Sequence, residues 1–316
     1  LFYRKDDAAL AQATTFSEVE AALGTCTYTS EIPPDRRGLM IDMAGGTTDA
    51  TLYLDAVENR TGRLPPELPW TAAEIEPAAM DHLRRLLAMA SYENGLARPA
   101  APYARGKWFS QGWGRAFVGF AESMSVMSPE TRAGLGFKVM PLADDDRASL
   151  FYADVVAVHP ATKVWGTREL AVELANLLAS HEVMVRSLGP GEGDPSPQYL
   201  MAARPSVFET LGRSFPIYGE LHELIETSHP TLFRLGPRSR EWLAAMKDTL
   251  RKEAREDYPC GCDVRSAELI RDAASAPALC QAACRELGGW SGKWTNEAPA
   301  TPPGTSACGC RACPAP

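Results

Sequence analysis

The sequence predicts an α/β protein with a small cysteine-rich module at its C-terminal end. Short apolar runs that are typical of buried strands alternate with segments of helical spacing along the first 258 residues. The last part of the chain contains most of the cysteines and little aliphatic sequence. We call residues 1–258 the body and residues 259–316 the tail.

The elements of the body follow from local patterns in chain order. Residues 16–23 have helical spacing, and residues 70–90 repeat it with apolar Leu83, Leu86 and Leu87. A short apolar strand at 39–41 follows two prolines. The same rules predict strands at 1–5, 116–120 and 150–158, and helices at 48–57, 169–185 and 239–257.

Carboxylates follow two of the predicted strands. Sheets of α/β proteins bind ligands beyond the carboxyl ends of their strands. Glu122 comes directly after the strand at 116–120, and Asp154 lies within the strand at 150–158. Tyr152 and Asp154 are two residues apart and are therefore expected on one face of that strand.

Composition excludes several classes of partner. The 316 residues are 45% hydrophobic and 23% charged, with a formal net charge of −8. An acidic chain without a dense Lys/Arg block disfavours nucleic acid and anionic membrane surfaces as partners. No apolar run has the length of a membrane-spanning helix, so we expect a soluble chain. The five histidines have no metal-binding spacing, and we expect neither a metal nor a cofactor.

The cysteines divide the chain near residue 258. Cys26 lies in the body and the other seven lie in the last 57 residues, where five acidic and five basic residues balance. The Cys-x-Cys and Cys-x-x-Cys spacings permit a zinc site, but a small module with little core is typical of disulfide scaffolds. One cysteine of the seven is left free, pairs outside the tail, or pairs with Cys26. Disulfides imply an oxidising compartment, so we expect a secreted or periplasmic protein.

Asp42 begins a glycine-rich stretch with Gly-Gly-Thr-Thr at 45–48. It resembles the phosphate loop of actin-like ATPases, in which backbone amides hold phosphate. That fold needs two such loops, and this chain has one, followed by a helical pattern. The alternative is a tight turn with a threonine cap on the helix that follows.

Two further candidates come from side-chain chemistry. Glu122 follows apolar residues and is a candidate general base, the alternative being a solvated carboxylate at a strand end. Tyr103, Trp108 and Trp113 lie close in sequence. Such aromatic residues usually pack in a core, but they also line pockets for flat or cationic ligands.

Several stretches together resemble the thiaminase I (thiamine pyridinylase) family from residue 1 to about 235. They are Leu-Phe-Tyr-Arg-Lys at 1–5, Ile-Asp-Met-Ala-Gly-Gly-Thr-Thr at 41–48, Lys-Trp-Phe-Ser-Gln-Gly at 107–112, Gly-Phe-Ala-Glu-Ser-Met at 119–124, Leu-Phe-Tyr-Ala-Asp-Val at 150–155 and Pro-Gln-Tyr-Leu at 197–200. The resemblance implies a two-lobed fold like that of periplasmic binding proteins, with thiamine between the lobes.

The resemblance also implies a reaction and its residues. A cysteine thiolate adds to the pyrimidine of thiamine, and an amine or another nucleophile replaces the thiazole. By motif, Glu122 is the base that activates the cysteine, and Tyr103, Tyr152 and Asp154 bind the aminopyrimidine. A non-catalytic thiamine or small-molecule receptor of the periplasmic type is the alternative.

The chain departs from the family pattern at two points. Phe120 stands where the family has a tyrosine, two residues before the glutamate. The nucleophilic cysteine of the family precedes the Leu-Phe-Tyr-Arg-Lys stretch, so it would lie upstream of Leu1, and Cys26 does not occupy its position. Either the activity is lost, or this chain is the C-terminal part of a longer protein, and we expect the latter.

The tail resembles the mannan-binding lectin domain. The stretch Gly-Gly-Trp-Ser-Gly-Lys-Trp-Thr at 288–295 carries this similarity. It implies binding of oligomannose, with Trp294 as a stacking platform. The alternative is that Trp290 and Trp294 form the small core of a disulfide-linked module.

Overall fold

The protein is described here by a computed structural model. It describes residues 1–33, 35–42, 48–65, 67–97, 101, 103–144, 149–153, 156–193, 195–233, 236, 238–296 and 303–313. Among these residues, no helix is both long and apolar enough to cross a membrane.

Strands and helices alternate through the body, as the sequence predicts. The strands are β1 Phe2–Arg4, β2 Asp35–Met40, β3 Gly114–Phe117, β4 Leu135–Phe137, β5 Leu150–Phe151, β6 Thr231–Leu232, β7 Asp263–Arg265, β8 Trp290–Thr295 and β9 Ala307–Cys310. The helices are α1 Ala8–Gln12, α2 Phe16–Leu23, α3 Thr48–Thr61, α4 Pro77–Ala88, α5 Ala104–Ser110, α6 Pro129–Ala133, α7 Arg168–Leu178, α8 His181–Leu188, α9 Pro205–Gly212, α10 Ile217–Ser228, α11 Ser239–Glu256 and α12 Ala276–Ala283.

The chain forms two compact units. Unit 1 comprises residues 1–119, 126–149 and 235–316, and unit 2 comprises residues 120–125 and 150–234. The tail therefore packs as part of unit 1. The division of the sequence into domains at residue 258 stays a prediction.

Unit 1 is built around a four-stranded mixed sheet in the order β2-β3-β1-β4. β1 runs antiparallel to both of its neighbours, and β2 runs parallel to β3. The apolar end of β2 (Leu39 and Met40) and Phe117 on β3 are fully buried. Trp242 of α11 is also fully buried, and its indole N–H donates to the Pro69 carbonyl. This contact anchors α11, the helix that precedes the tail, in the core of unit 1.

The tail is a small sheet with one helix, held together by disulfides. Its strands pair antiparallel in the order β7-β9-β8. Cys280–Cys308 joins α12 to β9, and Cys284–Cys310 joins the residue after α12 to the same strand. Cys262–Cys313 links the two ends of the tail. Cys26–Cys260 connects the tail to the body. The predicted disulfide scaffold is confirmed, and the odd cysteine pairs with Cys26.

In its described residues, unit 2 contains helices α7 to α10 and a two-stranded parallel sheet of β5 and β6. The packed side of its helices centres on Tyr218 and Leu221 of α10 and Phe208 of α9, which are buried. α7 contributes no buried residue. Its apolar side chains at Leu170, Leu174, Leu177 and Leu178 are all exposed.

Three predicted elements differ from the structure. The strand predicted at 150–158 ends at Phe151, because its partner β6 supplies only two paired residues. The helix predicted at 169–185 is two helices, since Ser180 caps a new helix with its hydroxyl on the Val183 N–H. The helix predicted at 70–90 starts at Pro77, because proline suits the first turn of a helix.

Candidate active site

Glu122 lies in a 3-10 turn, Ala121–Val126, five residues beyond the end of β3. Ser123 and Met124, which follow Glu122 within the turn, are buried, and Glu122 itself is half-buried. The turn is closed by the Ser125 hydroxyl, which donates to the Glu122 carbonyl at 2.7 Å. Within the described ranges the Glu122 carboxylate has no hydrogen bond or ion pair. The turn therefore presents a carboxylate whose oxygens are available to accept a proton.

Tyr103 occupies a strained backbone position just before α5. Its φ is +58°, in the left-handed region that non-glycine residues rarely adopt. The side chain is 40% exposed and makes no capping hydrogen bond to the helix. Strained residues of this kind cluster at binding sites, where the surrounding structure holds them in place. Tyr103 belongs to unit 1, whereas Glu122 belongs to unit 2.

Tyr152 follows β5 directly and is half-exposed. Its ring lies 5.2 Å from the ring of buried Phe233, which follows β6. β5 ends one residue before Tyr152, so Tyr152 does not lie on a strand. The expectation that Tyr152 and Asp154 share a strand face is therefore wrong. Asp154 lies outside the described residues. Tyr152 and Glu122 are both in unit 2.

A buried ion pair that the sequence analysis missed lies just after β2. Arg105 on α5 is 5% exposed, and its Nη1 is 3.5 Å from Asp42 Oδ2. The same guanidinium donates to the Asn94 carbonyl and lies over the Trp108 ring, 5.2 Å from the ring centroid. Burial lowers the pKa of Arg105, and the Asp42 carboxylate opposes that shift.

Asn94 completes this cluster. Its side-chain oxygen accepts from the Ile41 N–H at 3.0 Å, and its amide donates to the Glu31 carbonyl at 3.0 Å. The cluster positions the end of β2 where the glycine-rich stretch begins; residues 43–47 of that stretch lie outside the described residues. The helix expected after it is confirmed, because α3 starts at Thr48. Arg105 lies within the aromatic segment singled out from the sequence, but no sequence pattern distinguishes it from a surface arginine.

All eight cysteines are in disulfides. None of these cysteines therefore carries a free thiol in this structure. Cys26 in particular is bonded to Cys260. Among the described residues, no group of His, Cys, Asp and Glu is arranged to hold a metal ion.

Trp294 lies on β8, where it pairs with Cys308 of β9. Trp290 and Trp294 are both half-buried and pack against the buried cluster formed by the tail's disulfides. The Trp290 indole N–H donates to the Lys293 carbonyl at 2.8 Å. Both tryptophans thus contribute to the tail's small core, and each retains an exposed part.

Comparisons with known proteins give two separate regions of similarity. A family model described as Thiaminase-1 domain matches residues 1–143. A family model described as Mannan-binding protein matches residues 273–310. The second region lies entirely within the tail.

Relatives extend the first similarity over most of the body. The chain is 37% identical to Thiaminase-1 of Paenibacillus thiaminolyticus over 258 residues. This match covers 79% of this chain and 61% of that protein. The chain therefore spans about three fifths of the length of this curated relative.

Two solved structures are similar as well. Clostridium botulinum thiaminase I in complex with thiamin matches with a TM-score of 0.73 and 35% identity, covering 80% of this chain and 70% of that one. Thiaminase I from Bacillus thiaminolyticus matches with a TM-score of 0.69 and 34% identity, again covering 80% and 70%.

Proposed function

The chain belongs to the thiaminase I family, and from that membership we propose that it takes part in thiamine degradation. The proposed reaction transfers the pyrimidine methylene of thiamine from the thiazole to an amine or another small nucleophile. The observation that carries the proposal is Glu122, which matches the family motif and presents a carboxylate with no partner among the described side chains.

Glu122 is proposed as the general base. A carboxylate used in this way must have an oxygen open to the reacting group, and the 3-10 turn at 121–126 leaves Glu122 half-buried rather than paired. Tyr103, Tyr152 and Asp154 are proposed to orient the aminopyrimidine. The two tyrosines expose 40% and 38% of their surface, which leaves ring area for contact with a flat ligand.

The chemistry proceeds in two displacements. Glu122 accepts the proton of a cysteine thiol, and the thiolate forms a C–S bond to the pyrimidine. The bond from the methylene to the thiazolium nitrogen then breaks, and the electron pair leaves with the neutral thiazole. Glu122 releases its first proton to solvent, the amine forms a bond to the methylene, and Glu122 accepts the proton that the amine loses. The C–S bond then breaks, its electron pair leaves with the sulfur, and the proton on Glu122 returns to the thiolate.

The thiol is proposed to come from polypeptide outside residues 1–316, because every cysteine in this chain is in a disulfide. A direct test joins the part of the Paenibacillus relative that this chain does not match to the chain, upstream of Leu1. Thiamine consumption with aniline as the nucleophile is then measured for the joined protein and for the chain alone. We expect consumption and thiazole release only for the joined protein.

Glu122→Gln in the joined protein tests the base. We expect turnover to fall by roughly a thousandfold or more, with thiamine binding changed by only a few-fold, because the amide keeps the shape but cannot accept the proton. Glu130→Gln is the matched control, since Glu130 is an exposed glutamate on α6. An equal loss of binding and turnover in Glu122→Gln would contradict the role of general base.

The receptor alternative gives a different result in the same assay. A non-catalytic receptor binds thiamine but does not consume it when the upstream cysteine is present. Calorimetry with thiamine on the joined protein separates the two functions. Binding without consumption would replace the proposed transferase with the receptor.

The tail is proposed to bind oligomannose through Trp294. The match to the Mannan-binding protein model and the half-exposed Trp294 ring on β8 favour this second activity. We expect Trp294→Ala to weaken binding of an oligomannose glycan about tenfold, in keeping with loss of one aromatic platform. Trp294→Phe, which keeps a ring in the tail core, should retain most of the affinity.

Trp165→Ala is the control for this measurement, because Trp165 is 68% exposed and lies in unit 2. Comparable weakening in Trp165→Ala, or no weakening in Trp294→Ala, would remove Trp294 from the binding site.

We also propose that the protein is exported to the cell exterior or periplasm, because disulfides form and persist in oxidising compartments. The four disulfides support this placement.

A further inference from the structure

A cleft of about 510 Å³ lies in unit 1 between the last turns of α11 and the end of the tail. Its volume is in the range of pockets that bind small ligands. Tyr92 and Tyr258 line it, with ring centroids 5.5 Å apart and planes at 61°. The half-cystine Cys313 lines the other side. None of the residues proposed for thiamine chemistry or for Trp294 binding belongs to this cleft.

The cleft carries a surplus of positive charge in an acidic protein. Four cationic and two acidic side chains line it, although the whole chain has a net charge of −8. Both acids are paired on α11 itself: Asp248 with Arg251 at 2.6 Å, and Glu256 with Lys252 at 3.5 Å. The surplus is therefore carried by the remaining two cations, Arg255 and Arg311.

Arg255 is held in place by an aromatic neighbour. Its Nε donates to the Tyr92 hydroxyl, and its guanidinium carbon lies 5.3 Å from the centroid of that ring. The two Nη groups of Arg255 and the guanidinium of Arg311 make no hydrogen bond to any residue that the structure describes. An arginine has five N–H donors in a planar fork that matches oxyanions.

The positions of the two arginines point to a ligand rather than to helix stabilisation alone. Cations in the last turn of a helix interact favourably with its exposed carbonyls, which accounts for Arg255 in part. Arg311 is not on α11, since it follows β9 in the tail. Two arginines with unused donors from separate segments thus line one cleft.

We propose that this cleft binds a sugar that carries a phosphate or sulfate ester. Arg255 and Arg311 donate to the tetrahedral oxyanion, and Tyr258 and Cys313 provide apolar surface for the sugar ring. Because the tail forms one wall of the cleft, this site would extend the tail's proposed glycan recognition to an anionic substituent. The site does not depend on thiamine chemistry.

The test is calorimetry on the intact chain with mannose 6-phosphate, mannose 6-sulfate, mannose and inorganic phosphate as four separate probes. We expect the two esters to bind more tightly than mannose, with affinity falling as salt is raised to about 0.15 M, since charged contacts are screened. The two ester arms distinguish phosphate from sulfate. Inorganic phosphate that binds as tightly as the esters would remove the sugar from the proposal.

Arg311→Ala should weaken binding of the preferred ester about tenfold, because one charge-assisted contact is lost. Arg285→Ala is the matched control, since Arg285 is an exposed arginine of the tail outside the cleft. Circular dichroism and a free-thiol count verify that both variants fold with intact disulfides. Three results would overturn the proposal. They are equal weakening of ester binding in both variants, equal binding of mannose and its esters, and no ester binding at about 10 mM.

Discussion

Two half-buried carboxylates, Glu93 and Asp263, lie close together where the tail meets the body. Glu93 Oε1 accepts from the Asp263 N–H at 3.2 Å, and the Asp263 carboxylate accepts from the Thr29 hydroxyl. Burial, with a smaller contribution from the charge of Asp263, raises the pKa of Glu93 to about 8. Burial also raises the pKa of Asp263 to about 6, although the Thr29 hydrogen bond and Lys293 act in the opposite direction.

These two pKa values make the stability of unit 1 depend on pH. A carboxyl whose pKa is higher in the folded state than in the unfolded state binds its proton more tightly when folded. The folded state is therefore penalised progressively as pH rises from about 4 through the raised pKa of Glu93 near 8. The charge of Glu31 also raises the pKa of Glu93, so removing that charge should lower the pKa of Glu93.

We expect the free energy of unfolding to be lower at pH 8.5 than at pH 5 by a few kcal/mol, on the order of the 1.4 kcal/mol that each pKa unit represents. Glu93→Gln should abolish most of this difference, because the amide remains neutral and retains an acceptor for Asp263. Urea denaturation at the two pH values measures the effect. The exposed Glu130→Gln serves as control, and a pH dependence that survives in Glu93→Gln would contradict the assignment.

At the scale of elements, helical periodicity in the sequence does not always correspond to burial in the structure of unit 2. α7 has apolar residues at helical spacing, yet none of its side chains is buried. α10 has a similar pattern, and its Leu221 is only 1% exposed. The periodicity of a sequence shows which residues share a helix face, but it does not show whether another element covers that face.

Truncating one leucine on each helix compares the two environments. Leu221→Ala should lower the free energy of unfolding by about 2–5 kcal/mol, because it leaves a cavity in the packed side of unit 2. Leu174→Ala should change it by less than about 0.5 kcal/mol, since Leu174 is 55% exposed. Chemical denaturation followed by circular dichroism measures both. A large effect of Leu174→Ala would mean that α7 packs against another surface in solution.

On the scale of the whole molecule, one covalent link connects distant parts of the sequence. The Cys26–Cys260 disulfide joins residues 234 positions apart and ties the tail to the body. A cross-link that closes a long loop restricts the unfolded chain, which raises the free energy of unfolding in the chain-entropy model. The Tyr258 hydroxyl, which donates to the Ala90 carbonyl at 3.0 Å, adds a noncovalent contact near the same link.

We expect the paired substitution Cys26→Ser and Cys260→Ser to lower the free energy of unfolding by about 3–5 kcal/mol. The tail's own disulfides should form normally, because their cysteines remain paired within the tail. Denaturation with and without reductant measures the free energy of unfolding. Mass mapping identifies the remaining disulfides. An unchanged stability, or scrambled pairing in the tail, would contradict this account.

Several features of the fold could be predicted from local sequence. The bounds of α2 agree with the prediction, because Thr15 and Glu18 form a capping box that any reader of the sequence can find. The α/β class and the disulfide-rich tail are confirmed as well. The long strand at 150–158 was wrong, since a strand needs a partner of equal length and β6 is short.

The candidate site was predictable only in part. Glu122 and Tyr103 were singled out from local side-chain chemistry, and the family motifs, which record residue types at fixed spacings, then gave them expected roles. Arg105 was missed because its burial against Asp42 and Asn94 depends on residues that are about 60 and 11 positions away in the sequence. The cationic cleft was missed for the same reason, since Arg311 and Arg255 come together only when the tail packs on α11.

The sequence by itself determined that residues 16–23 form a helix, which cysteines form a scaffold and which family the motifs resemble. These features depend on neighbouring residues and on spacing. The tertiary structure alone decided that Cys26 pairs with Cys260, that Glu93 and Asp263 are in contact, and that the α7 leucines are exposed. Each of these depends on contacts between segments far apart in the chain, because burial and pairing are properties of the packed molecule.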